Sequence, residues 1–104
     1  MTYQNINVDK FKELSEKEGY IILDVRSEQE YAEGQIPNHQ LINFFDSDFK
    51  EQLEAKLDKS KNYLVYCRSG NRSGKTCNLM PELGFTGELY NLDGGIKAWN
   101  EANN

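Results

Sequence analysis

Tyr63-Leu64-Val65-Tyr66-Cys67-Arg68-Ser69-Gly70-Asn71-Arg72-Ser73 is an apolar, β-rich run that ends on a cysteine and passes through a small polar loop. Aromatic and β-branched residues bounded by turn formers predict a strand. Ser73 as an N-cap, with Leu79, Met80 and Leu83 further on, predicts a helix after the loop. Cys67 is therefore expected at a strand's carboxyl end, on a loop and outside the core. In an open parallel sheet that end is where ligands bind, and a helix beginning just beyond it offers unpaired N–H groups and partial positive charge. A thiol there is expected to ionise easily, with Arg68 and Arg72 pushing the same way.

Spacing separates two chemistries. A cysteine and an arginine with five residues between them form the phosphate cradle of cysteine phosphatases, whereas four residues separate Cys67 from Arg72 and Ser73 follows. The shorter loop should enclose something smaller than a phosphoryl group, and one sulfur atom bonded to Cys67 fits. The Cys67-to-Ser73 loop closely resembles the active loop of the rhodanese family. The resemblance covers nearly the whole chain, through Ile22-Leu23-Asp24-Val25-Arg26, Glu30-Tyr31, Gly34-Gln35-Ile36-Pro37, Leu83-Gly84-Phe85 and Leu92-Asp93-Gly94-Gly95-Ile96-Lys97-Ala98-Trp99, in family order. It implies a three-layer α/β/α fold around a parallel sheet. It also implies a sulfurtransferase in which Cys67 accepts a sulfane sulfur as a persulfide and passes it to a nucleophile. The sequence departs from the family at Asn38 and His39, where glycine and alanine are usual, at Gln35, where histidine is common, and at Pro81, where a helix former is usual.

With 104 residues the chain is expected to form one domain, 1–104, able to build a core without metal or disulfide staples. Two cysteines ten positions apart, with no paired Cys/His spacing, argue against a structural zinc site and a disulfide framework. Together with the lack of a basic, apolar leader or a membrane-length apolar run, they predict a cytoplasmic protein with no membrane contact. A formal charge of −5 makes nucleic acid an unsuitable partner. Locally, Arg68, Arg72 and Lys75 share a segment with no acidic residue and should form a small positive funnel for anions. No metal or other cofactor is expected.

Around this centre, Val8, Phe11 and Leu14 predict a helix near residues 9 to 18, capped by Asn7 or Asp9 and stopped at Gly19. Tyr20 to Val25 has the pattern of a strand buried on both faces. A structural ion pair or turn bond suits Asp24 and Arg26 better than catalysis. Ser27-Glu28-Gln29-Glu30 is a capping box, followed by a short helix closed near Gly34. Gln40 to Phe44 is expected as a second core strand, and His39, the one histidine, as a solvated loop residue. Phe49, Leu53 and Leu57 mark an amphipathic helix capped by Asp46 or Ser47. Pro81 should kink or end the helix that follows the cysteine loop. Glu88 to Leu92 predicts the last strand, Asp93-Gly94-Gly95 a close-approach turn, and Ile96 and Trp99 the inward face of a terminal helix.

Three functions compete. In the first, Cys67 is the nucleophile of a two-step sulfur transfer. The backbone N–H groups from Arg68 to Ser73 form a nest for the persulfide, Gly70 permits the curvature and Ser69 or Ser73 adds hydrogen bonds. Asn71 belongs to the same cradle, and Arg68 and Arg72 orient an anionic donor such as thiosulfate. The acceptor is cyanide, a thiol or a protein cysteine. The second is a small cysteine-dependent phosphatase or arsenate reductase, which the short loop and the lack of an assignable general acid disfavour. The third is a non-catalytic binding module, disfavoured by the presence of Cys67 beside an intact glycine loop. Cys77 is read as a small apolar packing residue.

Overall fold

The computed structural model describes residues 3–37 and 39–103, so Asn38 lies outside them, as do Met1, Thr2 and Asn104. Five strands, β1 (Tyr3–Ile6), β2 (Tyr20–Asp24), β3 (His39–Leu41), β4 (Asn62–Tyr66) and β5 (Leu89–Leu92), form one sheet in the order β1-β5-β4-β2-β3. Every pairing is parallel. The helices are α1 (Val8–Ser15), α2 (Glu28–Ala32), α3 (Phe49–Lys56), α4 (Asn71–Leu79) and α5 (Gly95–Ala102), with a 3-10 turn over Met80–Leu83.

The strand period of two sorts the central residues into layers. Tyr63, Val65 and Cys67 face the side covered by α3 and α4, packing with Phe49, Leu53, Cys77 and Met80. Leu64 and Tyr66 face the other side with Phe11, Leu14, Leu92 and Ile96, under α1 and α5. Burial on both faces is what the continuous apolar run of β4 requires, and the result is the expected α/β/α architecture. From β2 the chain moves outward to β3, and from β4 it moves the opposite way to β5. The carboxyl ends of β2 and β4 therefore lie at the point where the winding reverses, and the crevice there opens beside Cys67.

Most predicted elements occur, with four differences. β1 was not anticipated, because Gln4 and Asn5 are exposed on this edge strand and break the apolar pattern. The second core strand, expected over Gln40 to Phe44, is a three-residue edge strand that begins at His39, although the N–H groups of Ile42 and Phe44 still donate to Asp24 O and Val25 O. The cap of α3 is Asp48, whose carboxylate accepts from the Gln52 side chain and from no helix-start N–H, and Asp46 offers the Phe49 N–H its carbonyl. Ser73 does not cap α4. The helix begins at Asn71, after Gly70 at φ 105° has turned the chain, so Ser73 lies inside the first turn. The break at Pro81 occurs as expected: α4 ends at Leu79 and continues as the 3-10 turn.

The end of β2 is fixed by a buried ion pair. Asp24 is fully buried and Arg26 is 3% exposed. Asp24 Oδ1 accepts from the Arg26 backbone N–H at 2.8 Å, and Oδ2 accepts from Arg26 Nη2 at 2.8 Å and from the Tyr66 hydroxyl at 2.9 Å. Arg26 also donates to the carbonyls of Glu30 and Gly34, which ties α2 to the sheet. This pair is structural, as its sequence context suggested. Asp24→Ala would leave the buried Arg26 guanidinium without its counter-charge, and should cost about 3 to 5 kcal/mol. A urea titration of the variant beside the parent protein measures the loss.

Candidate active site

Cys67 follows β4 directly and is 1% exposed, so the expectation that it stands outside the core is corrected. Val65 and Cys67 share the pleat direction that the α3/α4 side buries, and α4 closes over both. The sulfur is nevertheless in polar company. The Gly70 N–H donates to Cys67 Sγ at 3.1 Å, and Ser73 Oγ lies 3.3 Å from it. Burial pushes the thiol up, but the Ser73 hydroxyl and the backbone N–H groups of Ser73, Gly70 and Ser69 outweigh it and hold the thiol below its ordinary value. Cys77, buried in α4 without such donors, is pushed up to about 12 by desolvation and by the neighbouring Cys67, in keeping with a packing residue.

The loop's amides can point inward because its carbonyls are held from behind. The Ile96 N–H donates to Cys67 O at 2.9 Å and the Lys97 N–H to Arg68 O at 3.3 Å, so the first turn of α5 grips the first two carbonyls of the loop. A Cβ on Gly95 would lie 2.4 Å from the Arg68 carbonyl, so this approach needs glycine. Asn91, buried at 4% exposure, secures the middle of the loop: its Nδ2 donates to Gly70 O at 3.1 Å and to Asn5 Oδ1 at 2.8 Å.

The arginines behave differently. Arg72 makes a bidentate pair with Glu30, both bonds 2.8 Å, and stacks over the Phe45 ring at 5.2 Å. It was expected to present charge to a donor, but a carboxylate already occupies both prongs of its fork. Arg68 is exposed at the mouth of a cleft of about 230 Å³ that also includes Lys97, Ile96 and Gly34. Lys75, exposed, lines a second and larger cleft of about 600 Å³ on the Ser69, Gly70 and Asn71 side. The expected single funnel is thus divided into two patches.

Of the expected site residues, Cys67, Gly70 and Ser73 meet at the sulfur, Ser69 contributes its N–H, Arg68 and Asn71 face solvent, and Arg72 serves as a brace. Sequence reasoning missed Glu30, Phe45 and Asn91 as neighbours of the loop. Asn91 left a trace, since an amide in an otherwise apolar buried strand needs partners. Among the described residues no group of three or more His, Cys, Asp or Glu is placed to hold a metal ion, and no helix is long and apolar enough to cross a membrane.

The Rhodanese-like domain family matches residues 7–102. The chain is 39% identical over 100 residues to YtwF of Bacillus subtilis (strain 168), covering 95% of this chain and 92% of that protein. It is 35% identical over 99 residues to the thiosulfate sulfurtransferase GlpE of Coxiella burnetii (strain RSA 331 / Henzerling II), covering 95% and 89%. The crystal structure of a rhodanese-like domain protein from Staphylococcus aureus superposes with a TM-score of 0.78 at 32% identity, covering 92% of this chain and 90% of that one.

Two outcomes follow from the geometry. The ultraviolet absorbance of thiolate should rise with a midpoint below that of a free cysteine, vanish in Cys67→Ala and persist in Cys77→Ala. The pair with Arg72 lowers the Glu30 carboxyl from 4.5 to about 2, further helped by the bonds from Ser27. A depressed carboxyl stabilises the fold above its unfolded value and loses that contribution as pH falls toward its folded value. Glu30→Gln should therefore be less stable than the parent at neutral pH, and the gap should close between about pH 4.5 and pH 2, as read from denaturation midpoints.

Proposed function

Because the chain belongs to the rhodanese-like domain family, we propose that it is a sulfurtransferase that moves one sulfane sulfur through a persulfide on Cys67. The observation that carries the reading is the ring of donors on Cys67 Sγ: the Gly70 N–H at 3.1 Å, the Ser73 hydroxyl at 3.3 Å and the N–H groups of Ser69 and Ser73, in a loop with only four residues between Cys67 and Arg72. Such a ring favours an anionic sulfur, and its small span suits one added sulfur atom better than a phosphoryl group.

The donor is a small anion of the thiosulfate class. Cys67 thiolate attacks its outer sulfur, the sulfur–sulfur bond of the donor breaks, and sulfite leaves with the electron pair. The persulfide anion that remains keeps the negative charge of the thiolate, so no proton or oxidant is required. Attack by cyanide, a thiolate or a protein cysteine on the outer sulfur then returns Cys67 to thiolate. Arg68, exposed with Lys97 at the smaller cleft, draws the donor in, while Arg72 keeps the loop and α2 together.

The phosphatase alternative loses ground because the arginine that would clamp a phosphate is held by Glu30. An aryl phosphate should be hydrolysed far more slowly than sulfur is transferred.

Intact mass after thiosulfate should increase by one sulfur atom and return to the starting value with cyanide, and Cys67→Ser should show neither change. Turnover by a folded Cys67→Ser protein would overturn the assignment. Arg68→Gln should raise the thiosulfate KM about fivefold with kcat little changed, and the effect should fade at high salt, as expected of one exposed charge contact. Steady-state kinetics at two ionic strengths provide the check.

A further inference from the structure

Ser73 has one hydroxyl proton and two neighbours that can accept it. Its Oγ lies 3.3 Å from Cys67 Sγ and 2.5 Å from Asn91 Oδ1. The orientation of the Asn91 amide is not free. Its Nδ2 faces the Gly70 carbonyl at 3.1 Å, an oxygen with no proton to give, so Nδ2 must be on that side and Oδ1 on the Ser73 side. Oδ1 can only accept, and Ser73 donates to it. When Cys67 is a thiol, its S–H can donate to Ser73 Oγ while the Ser73 proton rests on Asn91. When Cys67 is a thiolate, sulfur is the stronger acceptor and the Ser73 proton can turn to it, leaving Asn91, 4% exposed, without that donor.

We infer that Asn91 is a positioning residue that competes with Cys67 for the single Ser73 proton and thereby sets how readily the sulfur carries charge. Asn91 holds back ionisation of the resting thiol. In the cycle proposed above, on which this clause alone rests, the proton rests on Asn91 while the charge is on the outer sulfur. It turns to Cys67 Sγ as the acceptor attacks, the bond between the two sulfurs breaks and the electron pair returns to Cys67. Arg72 and Cys77 on α4 act electrostatically on the sulfur, with Glu30 of α2 paired to Arg72. Further ionisable groups on the elements around the loop are Arg68, the Asp24 and Arg26 pair at the end of β2, Lys97 on α5, and Tyr3, Lys75 and Asp93, which line a cleft with Asn91. Their contribution is common to both Ser73 backgrounds of the test below.

The test is the Cys67 titration, followed by thiolate absorbance, in the parent protein, Asn91→Leu, Ser73→Ala and the double variant. Asn91→Leu removes the competing acceptor but also the hold on Gly70, and the Ser73→Ala background isolates the second effect. The midpoint shift caused by Asn91→Leu should be about half to one pH unit more downward with Ser73 present than without it, the worth of one ordinary hydrogen bond. A purely structural Asn91 would give equal shifts in both backgrounds, and that result overturns the inference. If the Asn91 variants do not fold, the side-chain carboxamide NMR signals of Asn91 in the unsubstituted protein decide. Movement of those signals with the Cys67 titration supports the shared proton, and fixed signals overturn it. Neither readout involves sulfur transfer, so failure of the proposed function and failure of this inference remain distinguishable.

Discussion

The approach of α5 to the back of the cysteine loop is the constraint on which the rest of the site depends. A peptide group points its carbonyl and its N–H in opposite directions, so engaging the carbonyls of Cys67 and Arg68 from outside helps turn the following amides toward the sulfur. Ile96 and Lys97 supply the outside donors, and Gly95 makes room for them. These α5 amides are among those that a helix start leaves without intrahelical partners, so one set of unmet bonds satisfies another. The polar environment of Cys67 is therefore assembled from backbone, and it tolerates side-chain variation at Arg68 and Asn71 better than any change at Gly95.

A second constraint comes from the opposite side, through charge. Asp24 and Arg26 lock the end of β2, Arg26 reaches the carbonyls of α2, and Glu30 of α2 then takes Arg72 of α4. Each link satisfies a group that burial would otherwise penalise. The same Glu30 side chain accepts from the Ser27 N–H, so the helix cap and the interhelix brace share one carboxylate. An arginine used in this way cannot also act as an anion clamp.

What could be read from the sequence was local or strongly periodic. The strands around Leu23 and Leu64, the Ser27 and Glu30 box, the stop at Pro81 and the close approach at Gly94 and Gly95 are all properties of short segments, and all occur. Cys67 stood out in the sequence as the candidate centre because its loop and spacing are distinctive, but its depth was not legible. A residue just past a buried strand inherits the strand's face, and only the position of α4 shows which face is covered. The Arg72 pair with Glu30 spans 42 positions and the Asn91 bond to Asn5 spans 86, so neither has a sequence period to reveal it. β1 escaped for the related reason that an edge strand held by backbone bonds needs little apolar pattern.

The place of β1 in the sheet has a consequence for how the molecule is made. β1 pairs in parallel with β5 alone, so Tyr3 to Ile6 waits for Leu89 to Leu92. Emerging from a ribosome, the chain can build β2, β3 and β4 with their helices, yet it cannot close the sheet until its last strand appears. The helix that orients the cysteine loop comes later still. The α5 donors to the Cys67 and Arg68 carbonyls therefore cannot act on the loop until that helix has been made.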